Sequence, residues 1–350
     1  MREELITAGC QLLGAITGRL ASRQDTVPPP SPRIVVLRRC CLGDVLSSTA
    51  MLDALRRRYP LARIDYALQE WSSPALAGNP DVTRTIAPTV RELRAGHYDV
   101  AITLERSPLT GLLPWLARVP IRVGPNSASR GFAHNLRVAC PPERSEAEIA
   151  LDSALAIGVS VEDARPKFCP NPADQARAAE LLGGDPGWIA LAPGGGINPG
   201  MTLRSKRWPA ERYAELAQQL FAKTGLQSAL LGGSSDKAVC AAVVAGAPEA
   251  CLDLCGRTSF GETAAVIQRC RLFAGNDSAP LFLAAAVQTP FVGIFGPSDP
   301  VRHRPLGRGE IVAAPIPRGA YRNGFTTLDC IGMVGVEQVL AACKRMLDAG

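Results

Sequence analysis

Histidine is nearly absent from this chain. Three occur in 350 residues, His97, His134 and His303, and none stands at zinc-ligand spacing from a cysteine. The eleven cysteines are scattered and form no CxxC pair. This excludes a zinc finger or a thioredoxin-type redox pair as the organising feature, and the odd count reads as reduced thiols. Adjacent Cys40 and Cys41 invite a nucleophile reading, but no histidine lies nearby in sequence, so packing is the plainer expectation. Aromatics make up only 5% of the chain, and no dense basic block interleaves them, so nucleic acid is not an expected partner. No uninterrupted run of about eighteen apolar residues is present, and no segment is expected to span a bilayer. Glu3 and Glu4 precede the first apolar stretch, and Arg19 and Arg23 interrupt its continuation. A secretory leader is not expected, and a cytoplasmic location is.

The residues present fit a well-packed globular protein. The apolar fraction is 47%, and 350 residues are too many for one ordinary domain, so two are expected. A formal charge of +6, mostly from arginine, suits an anionic substrate or a lipid surface. Leu5, Leu12, Leu13, Ile16 and Leu20 recur at helical spacing, predicting an amphipathic helix over 1–24. The Pro-rich spacer 27–32 ends it. That stripe can pack on the body of the protein or lie in a membrane interface as a peripheral contact.

From Arg33 strands and helices alternate. Strands are expected at 33–38, 63–68, 83–87, 99–104 and 120–123, with helices at 45–58, 107–117 and 145–157. A second series holds strands at 188–192, 227–231, 272–274 and 291–295, the last clear one. Helices at 209–223, 235–244, 261–269 and 335–348, and one after Asp277, complete it. Such alternation demands parallel sheets wrapped on both faces. The expected class is α/β, with two doubly wound, Rossmann-like domains and a hinge near 141–166.

Four loops carry the chemistry. Leu42-Gly43-Asp44 follows the first strand, at the edge where open α/β sheets place ligands. Asp44 there can cap the helix or serve as a base. Pro193-Gly194-Gly195-Gly196 leads to Thr202, Arg204, Lys206 and Arg207, so glycines and cations share one strand-to-helix loop. That combination suits a phosphate, although Gly-Lys-Ser/Thr of a Walker loop is missing. Gly232-Gly233-Ser234-Ser235-Asp236 is a turn or a ligand loop, with Ser235 or Asp236 as a helix cap. Gly275-Asn276-Asp277-Ser278-Ala279-Pro280 opens a helix whose free N–H groups suit a diphosphate, with Asp277 or Ser278 as a cap.

Leu42-Gly43-Asp44-Val45-Leu46, Ser205-Lys206-Arg207-Trp208-Pro209, Gly275-Asn276-Asp277-Ser278 and Phe295-Gly296-Pro297-Ser298-Asp299-Pro300 occur in one order and spacing. With them the chain resembles the ADP-heptose:lipopolysaccharide heptosyltransferases, glycosyltransferase family 9, from about Arg33 to the C-terminus. The resemblance implies a GT-B fold with two domains facing across a cleft. It implies an acceptor domain at 33–165, a nucleotide-sugar donor domain at 166–325, and a final segment, 326–350, packing back towards the first. Asp44 falls at the family's catalytic base, and Lys206 at the lysine that contacts the donor sugar and phosphates. Asp277 and Ser278 match the donor loop, with Gly194, Gly195, Thr202, Arg204 and Asp236 beside it. Gly43, Arg106 and Arg130 fall on the acceptor side. Ala279 stands where the family commonly has Gly, and Phe282 where it has His. The implied reaction is inverting transfer of heptose from ADP-heptose to a lipopolysaccharide-core or lipid-linked acceptor, without metal or cofactor. The alternatives are another nucleotide-sugar donor or a catalytically weak nucleotide-sugar-binding protein.

Overall fold

The computed structural model describes residues 27–183 and 187–349, so the expected N-terminal helix over 1–24 lies outside the described residues. The chain divides between Arg165 and Pro166 into two compact units.

In the first unit β1 (Arg33–Leu37) leads into α1 (Leu42–Arg58), β2 (Arg63–Ala67), β3 (Arg84–Ile86) and α2 (Val90–Gly96). Then come β4 (Val100–Thr103), α3 (Pro108–Leu116), β5 (Ile121–Pro125), β6 (Leu136–Val138) and α4 (Glu146–Leu155). The sheet order is β3-β2-β1-β4-β5-β6, and every pairing is parallel. Ile34, Val35, Val36 and Leu37 are fully buried, as a central parallel strand covered on both faces requires.

The second unit runs α5 (Pro172–Leu182), β7 (Trp188–Ala192), the small hairpin β8 (Ile197–Asn198) and β9 (Met201–Thr202), α6 (Ala210–Thr224) and β10 (Ser228–Leu230). It continues with α7 (Lys237–Gly246), β11 (Cys251–Asp253), α8 (Phe260–Arg269), β12 (Cys270–Asn276), α9 (Ala279–Ala286), β13 (Phe291–Phe295), β14 (Gly309–Ala313) and α10 (Val336–Asp348). Its sheet order, β11-β10-β7-β12-β13-β14, repeats that of the first unit, again all parallel. The strand order reverses beside β1 and β4 in one unit and beside β7 and β12 in the other. These are the two switch points where doubly wound sheets open a crevice at their carboxyl ends.

One expectation is revised. Phe291–Phe295 is not the last strand, because Gly309–Ala313 pairs with it along its length. The closing helix lies against α6, β12, β13 and β14. Val336, Val339, Leu340, Ala342 and Cys343 bury its apolar stripe in the second unit's own core.

Candidate functional site

At the first switch point the turn after β1 delivers Asp44 to the first turn of α1. Cys41 precedes that helix at φ 74° and ψ 107°, a backbone region that costs a non-glycine residue about 1–3 kcal/mol. Asp44 does not cap the helix; Cys41 occupies the cap position and no side chain bonds there. Instead the Asp44 Oδ2 forms an ion pair with Arg38 Nη2. Arg38 also donates from Nη1 to the carbonyl of Leu104 at 2.9 Å, which ties the end of β1 to the end of β4.

More charge surrounds this pair. Arg39 donates its backbone N–H to Glu105 Oε1 at 2.6 Å and its Nε to Oε2 at 3.1 Å. Thr110 donates to the same Oε2 at 2.7 Å. Arg106 pairs with Glu146 at 3.0 Å, and Arg130 stands half-buried after Ala128 and Ser129, both at positive φ. Gly43 is buried within α1. The thiols of Cys40 and Cys41 are 3.2 Å apart. The hydrogen bond from Cys41, against burial and aided by Arg38, lowers Cys40 to about 7.

At the second switch point one side chain organises the loops. Asn276, fully buried at the end of β12, donates from Nδ2 to the carbonyls of Pro193 and Gly194, both at 3.0 Å. Its Oδ1 accepts from the Trp208 backbone N–H at 3.0 Å and from the Tyr213 hydroxyl at 2.9 Å. The glycine loop, the Lys206 loop and the end of β12 are therefore one hydrogen-bonded unit. Gly195 has φ +98° and approaches Ser278 so closely that a Cβ would lie 2.5 Å from the serine Cβ. Only glycine fits there on both counts.

Lys206 Nζ donates to Asp277 Oδ2 at 2.6 Å and rides 5.1 Å above the Phe325 ring. Burial pushes the Asp277 carboxyl up, but Lys206 and His303 outweigh it and hold the group below the ordinary carboxylate range. Ser278 occupies the cap position of α9 without capping it, its hydroxyl turned to the Asn276 carbonyl at 3.3 Å. Ala279 begins the helix half-buried, while Phe282 is buried and brings no polar atom. Thr202 and Arg204 stand on the same loop, both exposed.

Asp236 is engaged by Arg207 and by two backbone amides. Its Oδ1 accepts from Arg207 at 2.7 Å and from the Gly195 N–H at 3.2 Å, and its Oδ2 from the Gly233 N–H at 3.0 Å. Arg207 in turn donates to the Gly195 carbonyl at 2.9 Å. This pair braces the glycine loop from behind. Neither Ser235 nor Asp236 makes a side-chain cap on α7.

Sequence reasoning passed over Arg38 and the bracing roles of Asn276 and Arg207. Asn276 and Arg207 stood inside recognisable motifs, but their partners are distant in sequence. Arg38 carried a weaker signal, a cation ending a buried strand.

Two all-parallel six-stranded sheets of this order, each wrapped by helices, define the GT-B fold. The chain is 24% identical to the structure of the Escherichia coli ADP-heptose lipopolysaccharide heptosyltransferase II, with TM-score 0.69 over 91% of this chain and 99% of that one. A family 9 glycosyltransferase from Veillonella parvula superposes with TM-score 0.75 at 23% identity, over 93% and 100% of the two chains. These two likenesses establish the fold. The lipooligosaccharide heptosyltransferase 2 of Haemophilus influenzae is 29% identical over 308 residues, 78% of this chain and 86% of that protein. The description "Glycosyltransferase family 9 (heptosyltransferase)" matches residues 86–321, and the chain belongs to that family.

Proposed function

We propose that the chain transfers heptose from ADP-heptose to a hydroxyl of the lipopolysaccharide core, inverting the anomeric centre, with Asp44 as general base. Residues 33–165 would hold the acceptor and 166–325 the donor. The acceptor oxygen bonds to the anomeric carbon as its proton passes to Asp44. The bond from that carbon to the diphosphate breaks, and ADP leaves. Such a step needs a base for the hydroxyl and charge stabilisation for the leaving group.

The observation that carries the donor side is the unused start of α9. Ser278 leaves the helix uncapped, and Gly195 packs against it without a side chain. Free N–H groups and the dipole there favour an anion. Lys206 spends one of its three donors on Asp277, leaving others for a phosphate oxygen, and Arg204 adds charge nearby in sequence. Gly194 and Thr202 belong to the same loop system. On the acceptor side, Arg38 engages one Asp44 oxygen and the other is left to accept a proton. Gly43 lies beside Asp44 at the start of α1, and Arg106 and Arg130 suit an anionic, lipid-linked acceptor met at the cytoplasmic face of the inner membrane.

The test is turnover by purified protein with ADP-heptose and a lipopolysaccharide-core acceptor. ADP release that requires the acceptor supports the proposal, and equal release without it overturns transfer. A second reading, another nucleotide-sugar donor, is favoured by Ala279 and Phe282. A thermal-shift panel of nucleotide sugars separates the two: a larger shift with a sugar other than ADP-heptose assigns the donor to that sugar.

A further inference from the structure

Helix α3 is built inside out. Among its nine residues, Pro-Leu-Thr-Gly-Leu-Leu-Pro-Trp-Leu, only Thr110 has an aliphatic hydroxyl, and it is buried against Glu105. Gly111 and Pro114 are buried with it, and Leu113 packs on the cluster of Leu93 and Val119. The outward side holds Leu109, Trp115 and Leu116, which fall within an arc of about 120° at helical spacing, while Leu112 packs on Phe132 and Ala133. Leu109 is 69% exposed, Trp115 44% and Leu116 41%. A surface helix ordinarily turns its polar face to water, and a contiguous apolar face marks an interaction site.

The surroundings of this arc are cationic. Arg94 of α2 donates from Nη2 to the Leu116 carbonyl at 2.8 Å, which fixes it at the carboxyl end of α3. Arg91, one turn earlier on α2, has a side chain 90% exposed, and Arg118 follows α3 at once. The 3.4 Å contact of Arg91 with Glu92 is a surface pair of small worth. We infer that this face docks on an anionic lipid surface, with Leu109 and Leu116 in the acyl boundary, Trp115 at headgroup depth and the arginines on lipid phosphates. Charge complementarity selects this occupant over a second copy. A two-fold contact through this face would set its arginines against each other. Neither residues 1–24 nor the transfer reaction is needed for this docking.

The full-length chain is sedimented with vesicles of phosphatidylcholine alone and of phosphatidylcholine with about one-quarter phosphatidylglycerol. Binding is expected only to the second. Leu109→Ser with Trp115→Ser should weaken it about tenfold or more, and Arg91→Glu with Arg118→Glu should abolish the preference for anionic lipid. Brominated acyl chains should quench the tryptophan emission of the native chain, and Trp115→Phe, which keeps an apolar ring, should bind while losing most of that quenching. Binding unchanged in both double variants, or quenching unchanged in Trp115→Phe, overturns the inference. So does a dimer in sedimentation velocity that the serine variants dissociate without altering vesicle binding.

Discussion

The two units share one strand order and fill their switch points with opposite materials. Beside β1 and β4 lie full charges in direct pairs: Arg38 with Asp44, Arg39 with Glu105, Arg106 with Glu146. Beside β7 and β12 lie glycines, backbone amides and one amide side chain, with Lys206–Asp277 and Arg207–Asp236 as paired struts. The scaffold therefore dictates where chemistry goes and not what it is. A site that presents a proton acceptor must hold a carboxylate against its neighbours. A site that cradles a diphosphate must clear side chains away and leave N–H groups free.

Four substitutions put this contrast at risk. The largest effect on stability is expected from Asn276→Ala, which strands two buried carbonyls and a backbone N–H and leaves the Tyr213 hydroxyl only the Ala192 carbonyl at 3.3 Å. Unmade buried hydrogen bonds cost about 1–3 kcal/mol each, and partial relaxation should leave a loss of roughly 3–4 kcal/mol. Urea unfolding measures it, and a loss below about 1 kcal/mol would show that the loops stand without the hub.

Next comes Asp44→Asn, which should lower turnover about 100-fold or more while nucleotide affinity stays nearly native, as loss of a general base does. Native turnover in that variant removes Asp44 from catalysis and leaves it as the partner of Arg38. Lys206→Ala should raise the donor KM about tenfold and barely move the acceptor KM. Losing a charged contact costs about 1.5–3 kcal/mol, part of which solvent recovers. Equal changes in both constants would make the lysine a strut for Asp277 alone.

The smallest effect concerns His134, buried in the first unit against Gly111 and Gly124, where burial, with Arg122 and Arg137, lowers it to about 4. The unfolded chain takes up a proton there near pH 6.5, and the folded chain does so only near pH 4. Stability contributed by this depressed histidine is therefore full above the upper value and falls as pH drops through the window. The slope is at most about 1.4 kcal/mol per pH unit. His134→Gln should flatten the stability curve between those limits, and an unchanged curve would assign the acid loss to other groups.

Elements were most legible in the sequence where a single chemical pattern sufficed. β1, β7 and β13 were visible as short apolar runs because both their faces are covered. β6 and β14 sit at sheet edges, where Leu136-Arg137-Val138 and Gly309-Glu310-Ile311 carry mixed polarity and resemble loop. At the site, Asp44, Lys206 and Ser278 stood out through their place after strands. The Asp236 brace did not, because a carboxylate after a Gly pair reads the same whether it meets a ligand or Arg207. The expected caps at Asp44, Asp236 and Ser278 failed for a related reason: a better-placed cation, amide or carbonyl competes for each side chain.

Asn276 joins segments 63 to 83 residues away from it. The four bonds are complete only when β7, β12 and the start of α6 have all arrived. This end of the second unit is therefore expected to act as a checkpoint in folding and to assemble late. Refolding followed by nucleotide binding should lag the gain of far-ultraviolet helix signal, and a half-folded chain in the cell would sequester no nucleotide sugar.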